Sequence, residues 1–258
     1  MTRFKIIINC GPCEDFIGEC LASVKSQSLT DWQAWVTVDP CGDETYRRAA
    51  LAAGGDSRIQ VRQNATRRYS MYNLVQAIRC SKAEPEDVIA TLDGDDWFAD
   101  TEALKTIADA YERFDCWMTY GSWLSNVTGL SGRRDGLWPP YPEGTTDFRR
   151  HRFLGTAVRT WKKWLWDQIK DSDLCGDSGA YVRVSEDQMI MIPLLEMCGT
   201  ERARHIAAPI MIYNKLVKYP LDEEIAEEGR RNGHVIDRRP PYPRLSSKHA
   251  AGAAMVES

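Results

Sequence analysis

The sequence predicts an α/β fold: a mixed, mostly parallel sheet flanked by helices on both faces. Three observations predict it. Short runs of β-branched and apolar residues alternate with stretches whose apolar residues recur every three or four positions. The alternation reads βαβαβαβα through the first 115 residues, an order that sets parallel strands in one sheet with helical crossovers. The run DVIATLD (87–93) is apolar along most of its length, as in a strand covered on both faces.

Each element follows from its own pattern. Residues 4–9 (FKIIIN) form a strand, and 14–27 a helix with Phe16, Ile17, Cys20, Leu21 and Val24 at helical spacing. Residues 34–39 are a strand, and 43–54 a helix stopped at Gly54-Gly55. A strand at 58–61 and a helix at 71–80 precede the strand 87–93. Residues 101–114 return to helix, capped by Asp100 or Thr101. The second half is less regular. Residues 116–124 read as a strand, and 125–150, rich in Gly, Pro, Ser and Arg, as a long loop. Helices are expected over 156–170 and 185–199. The second is capped by Ser185, carries Glu186 and Asp187 in its first turn and bends at Pro193. Residues 205–214 read as the last strand, and 246–258 as a flexible tail.

Composition narrows the function. A net charge of −4 over 258 residues excludes the basic field of a nucleic-acid binder. No run approaches the roughly 18 apolar residues that span a bilayer, and the N-terminal stretch turns polar too soon for a secretory signal. A cytoplasmic protein is expected. The eight cysteines are too sparse for a disulfide scaffold. Zinc would need a second closely spaced pair beside Cys10 and Cys13.

Two motifs compete. Cys10-Gly11-Pro12-Cys13 has the letters of a thioredoxin dithiol, which points to a thiol oxidoreductase. Only nine residues precede it, however, and Asn9 stands where that motif usually has an aromatic residue. It reads better as a tight turn. The second motif, LDGDDW, places Asp93, Asp95 and Asp96 straight after an apolar strand. Three carboxylates in one loop repel each other, and a hard divalent cation, Mg²⁺ or Mn²⁺, would relieve them. The plain alternative is a solvated acidic turn. An EF-hand is excluded, because Leu104 stands where its bidentate Glu belongs.

In order along the chain, FKIIINC, CLASVKSQSLTDWQAWVTVD, MYNLVQAI, VIATLDGDDWFAD, MTYGSW, RTWKKWLWDQI, SEDQMIMIPLLEMCG and PIMIYN resemble a family-2 glycosyltransferase of the GT-A fold. YGSW, RTWKKWLWDQI and the late IYN resemble the viral and bacterial members that decorate surface glycans. The resemblance implies a single domain over 1–245, with a nucleotide-sugar half (1–115) and an acceptor half (116–220). It implies inverting transfer of a sugar from a nucleoside diphosphate, UDP above all, to a glycan or other hydroxyl. Asp39 would hold the base, although the loop DPCGDET departs from the family's usual Asp-Asp-Gly-Ser. Asn73 would lie near the donor, with Arg67 and Arg68 on phosphate. Asp93 would touch ribose or reach the metal through water, Asp95 would ligate it, and Asp96 would orient the loop. His205 would complete the metal shell or serve structure alone. Asp187 would be the general base and Glu186 its substitute, unless the pair only balances a helix dipole. RTWKKWLWDQI reads as a core face or as an interfacial membrane helix, and Trp164 or Trp166 would flank the acceptor. A nucleotidyltransferase is the other enzyme class weighed. NCGPCED lacks the basic residues it would need.

Overall fold

The computed structural model describes residues 2–127, 138–216 and 223–248. Residues 249–258, most of the expected tail, lie outside them, as do 128–137 of the expected loop.

The first half alternates as its sequence predicts: β1 (Phe4–Cys10), α1 (Ile17–Lys25), β2 (Trp32–Val38), α2 (Thr45–Ala53), β3 (Ile59–Gln63), α3 (Tyr69–Cys80) and β4 (Val88–Asp93). A two-residue strand β5 (Trp97–Phe98) then leads into α4 (Ala103–Phe114). The second half holds β6 (Met118–Ser125), β7 (Arg159–Lys162), a single turn α5 (Lys163–Trp166), α6 (Glu186–Arg202), β8 (Ala203–Tyr213) and α7 (Glu223–Arg238).

All eight strands share one sheet in the order β3-β2-β1-β4-β7-β6-β8-β5. β3, β2, β1 and β4 run parallel, β7 is antiparallel to both neighbours, and β6 and β8 are parallel. Alternate residues of each central strand point to opposite faces. Ile6 and Ile8 enter the core under α1, α2 and α4, whereas Ile7 enters the core under α3 and α6. Val88 and Ala90 divide from Ile89 in the same way. Burial on both faces explains why these strands are apolar throughout.

The helix expected over 156–170 does not form. Arg159–Lys162 is a strand between β4 and β6, and only Lys163–Trp166 turns helically. Thr160 Oγ1 meets Thr119 Oγ1 at 2.6 Å and Tyr111 Oη at 2.8 Å, so this segment completes the sheet. Trp161, Leu165 and Ile169 imitate a helical face because strand and turn bury them in one core. Trp164 and Trp166 are buried there too, which leaves them no part in flanking an acceptor or meeting a membrane. Among the described residues no helix is long and apolar enough to cross a membrane.

Ser185 stands before α6 at φ 65°, and its hydroxyl makes no capping bond. α7 was not expected from its charge-rich sequence. It buries Ile225, Val235 and Ile236, and Arg149 fastens its end by pairing with Glu196 and donating to Ile236 O at 2.6 Å.

Candidate active site

The carboxyl ends of β1, β2 and β4 meet at one edge of the sheet, with Asn9 opposite Asp93 in register. Parallel sheets bind ligands at such an edge. Asp39, the residue after β2, is buried. Its Oδ1 accepts from Arg68 N (3.0 Å) and Asn64 Nδ2 (2.7 Å), and its Oδ2 from Tyr69 N (2.8 Å). It therefore ties the start of α3 to the end of β2. Asn64 Nδ2 also donates to Asn73 Oδ1 at 2.6 Å, so Asp39, Asn64 and Asn73 form one chain. Tyr69 takes φ 66° and lies between the guanidinium groups of Arg67 and Arg183, 4.7 and 5.5 Å from its ring centre.

A cavity of about 230 Å³ opens over this floor, lined by Asn9, Asp39, Arg67, Asn73, Asp95 and Arg183 among others. Arg68 gives Asp39 its backbone N–H, while its guanidinium lies 5.2 Å from the Tyr72 ring and does not line the cavity.

The acidic loop sits between this cavity and a second one. Gly94 N donates to Asn9 O, Asp96 N to Asp93 O, and Asn214 N to Asp96 Oδ1, which fixes the loop to β1 and β8. Gly94 admits no side chain: a Cβ there would lie 2.5 Å from Cys10 Sγ and 2.9 Å from Cys13 Sγ. The Cys-Gly-Pro-Cys turn is thus the bed of the acidic loop. Cys10 and Cys13 are buried and unpaired. Contact with Cys13 and burial push the Cys10 thiol well up, and burial does the same to Cys20, which keeps both protonated and unreactive.

The second cavity, about 540 Å³, is lined by Asp93, Asp96, Trp123, Arg159, Asp187 and Tyr213 among others. Asp93 borders both cavities. Glu186 and Asp187 enter from the first turn of α6. Arg159, on β7, brings Nη1 to 3.6 Å from Asp187 Oδ2. Burial opposes its charge, but Asp187, Asp93 and Glu186 hold it protonated.

Arg159 compensates the carboxylates only in part. Burial and the charge of Asp93 raise Asp95 to about 6 and Asp96 to about 9. Burial with Asp187 raises Glu186 to about 7, and burial raises Asp93. A cation at Asp93 and Asp95 would reverse these shifts. Among the described residues no group of three His, Cys, Asp or Glu could hold a metal unaided. That donor set suits Mg²⁺ or Mn²⁺, which take one or two carboxylates and fill their shell with phosphate and water. His205 does not join it. It lies 5.3 Å from the Tyr120 ring and lines neither cavity. It precedes Asn214 by nine residues, roughly 25–30 Å of strand.

The model of the family described as "Glycosyl transferase family 2" matches residues 6–169, well over half of the chain. The chain belongs to glycosyl transferase family 2. It is a glycosyltransferase, and solved structures show that its fold is GT-A. S. aureus TarS 1–349 in complex with UDP-GlcNAc superposes with a TM-score of 0.66 at 17% identity, over 96% of this chain and 69% of that one. TarS 1–349 alone gives a TM-score of 0.60 at 17% identity, over 83% of this chain and 60% of that one. The mannosyltransferase PcManGT from Pyrobaculum calidifontis, in complex with GDP-Man and Mn²⁺, gives 0.60 at 15% identity, over 99% and 76%. The chain thus spans 60–69% of these TarS structures. No curated protein sequence matches it.

Four residues that line the two cavities escaped the sequence reading: Arg159, Arg183, Trp123 and Tyr213. Arg159 was hidden by the helical reading of its segment. The other three sit in segments that only the tertiary fold brings to the edge.

Proposed function

We propose that this family-2 enzyme is a metal-dependent inverting glycosyltransferase. It moves a sugar from a nucleoside diphosphate, UDP first among them, to a hydroxyl of a glycan acceptor, with Asp187 as general base. The observation that carries the reading is the position of Asp93, which borders both a cavity lined by Asn9, Asn73, Arg67 and Arg183 and a second cavity holding Asp187. Donor and acceptor sides then meet at one carboxylate.

The nucleotide occupies the first cavity, its base toward Asp39 and its phosphates toward Arg67 and Arg183. Asp95, with Asp93 directly or through water, would hold a divalent cation, which would supply Lewis-acid neutralisation of the leaving diphosphate when bound. Asp187 accepts the proton of the acceptor hydroxyl as its oxygen bonds to the anomeric carbon. The bond from that carbon to the phosphate oxygen breaks, and its electron pair leaves with the diphosphate. Attack from the face opposite the leaving group inverts the centre. Arg159 keeps Asp187 oriented and pairs with its charge. The UDP preference draws on the TarS complexes with UDP and UDP-GlcNAc, and the metal on the Mn²⁺ complex of PcManGT. Residues 1–245 act as one catalytic domain in this reading, since one sheet runs through both halves. Eight unpaired cysteines agree with a cytoplasmic site of action.

The test is a panel of nucleotide sugars scored for Mn²⁺-dependent turnover, with Asp95→Ala and Asp187→Ala beside the wild type. Unchanged turnover in both variants removes the assignment. The burial of both Cys10 and Cys13 under the acidic loop leaves a thiol oxidoreductase without support.

A further inference from the structure

The second cavity has one wall that the chemistry above does not use. Trp123 on β6 and Tyr213 at the end of β8 form a ring pair with centres 4.8 Å apart and planes at 39°. Both line the cavity that holds Asp187, as does Phe153. The pair is built by irregular register. Between Gly121↔Ile206 and Ser122↔Pro209, β6 advances one residue while β8 advances three; to Leu124↔Ile212 the steps are two and three. Such bulges re-aim side chains and recur beside active sites.

The two rings are not part of the buried core. Trp117, Trp161, Trp164 and Trp166 are buried core residues, whereas Trp123 is half-buried and Tyr213 is 40% exposed. Lys215 Nζ lies 4.3 Å over Trp123, so Tyr213 is the ring with the more open face and Trp123 its backing. Apart from Met211 and Ala157, the rest of the lining is polar: Asp93, Asp96, Thr156, Arg159, Glu186, Asp187 and Lys215. An alkyl chain would leave those carboxyl groups without partners, whereas hydroxyls can both donate to them and accept from them. A ligand that satisfies both walls has a flat C–H face and an edge of neutral hydroxyls.

We propose that Tyr213, backed by Trp123, is the acceptor subsite, and that it seats a neutral pyranose ring on its aromatic face with one hydroxyl turned to Asp187. This deepens the proposed function and rests on its placement of the base. Positively polarised C–H groups on the negative face of an aromatic ring supply the attraction, and the carboxylates fix orientation.

The test uses methyl β-D-glucopyranoside, methyl β-D-galactopyranoside, methyl α-D-mannopyranoside and methyl β-D-N-acetylglucosaminide as probes. Binding is read by saturation-transfer NMR with UDP and Mn²⁺ present. UDP binding is measured separately by calorimetry. At least one glycoside should receive saturation mainly on the ring protons of one face. Its affinity should fall about ten-fold or more in Tyr213→Ala and in Trp123→Ala, and persist in Tyr213→Phe, with UDP binding unchanged in all three. Tyr213 is exposed enough that its truncation leaves the core intact. Three results overturn the subsite: UDP bound with no glycoside bound, glycoside affinity unchanged in Tyr213→Ala, or a loss confined to the sugar of a UDP-sugar donor. Failure of UDP to bind the wild type would instead count against the nucleotide-sugar reading, while the glycoside arm still decides the subsite.

Discussion

Arg159 Nη1 stands 3.6 Å from Asp187 Oδ2, and the guanidinium also acts on Asp93 and Glu186. One cation from β7 therefore serves three carboxylates from two other elements. Removing it leaves three half-buried carboxylates that repel each other. Arg159→Ala should lower kcat by about 10²-fold or more, within the usual range for disrupting a general base. Because Arg159 lowers the proton affinity of Asp93 and Glu186, its loss should move the acid limb of the kcat/KM profile to higher pH. Arg159→Lys should restore part of both. A pH–rate series on the three proteins checks this.

Asp187→Asn keeps shape and removes the basic oxygen. Transfer should fall about 10²–10⁴-fold while UDP affinity stays. Asp95→Ala should instead weaken Mn²⁺-dependent UDP binding. Calorimetry with and without chelator, set beside turnover, separates the two roles.

Gly94→Ala drives a methyl group to 2.5 Å from Cys10 Sγ. Overpacking of this kind costs about 1–3 kcal/mol, and the displaced loop should lose most transferase activity. Adding Cys10→Ala should recover part of the stability in urea melts. Cys10→Ser with Cys13→Ser on the wild-type loop should keep transfer, because the thiols only support the loop.

Glu186 sets a pH dependence of stability. Its carboxyl is raised to about 7 in the folded chain, against about 4.3 in an unfolded one. The folded state holds this proton more tightly, so ionisation opposes folding. Its contribution is neutral below about pH 4, worsens as pH rises to about 7, and is constant above. In chelator, Glu186→Gln should be more stable than the wild type at pH 8 by about 2–3 kcal/mol, with the gap closing toward pH 4. Equal melts at pH 8 would refute it.

Asp39→Ala should cost about 1–2 kcal/mol through loss of the bonds that start α3. It should also weaken UDP binding, since Arg67, Tyr69 and Asn73 are all placed from that turn. Asp39→Asn retains an acceptor oxygen and should lie between the two.

Much of this was legible along the chain. Local periodicity marked β1 to β4 and α1 to α4 but not β5, because β1 and β4 are buried on both faces and each helix on one. The acidic loop was legible because three carboxylates after an apolar strand have no structural reason to adjoin. Residues 156–170 misled, since a strand followed by one turn can present Trp161, Leu165 and Ile169 to a single core with helical spacing. α7 was hidden because its few buried apolar residues are scattered among charges and matter only against the rest of the fold.

By itself, then, the sequence determined the alternating α/β half, the acidic loop and the family, since these depend on neighbours in the chain. The tertiary structure decided that β7 completes the sheet between β4 and β6, and that Arg159 thereby reaches Asp187. It decided that bulges in β6 and β8 bring Trp123 to Tyr213, a pairing set by register between distant strands. It also decided the meaning of Cys10 and Cys13: their thiols lie under Gly94, where only the absence of a Cβ lets the loop come down.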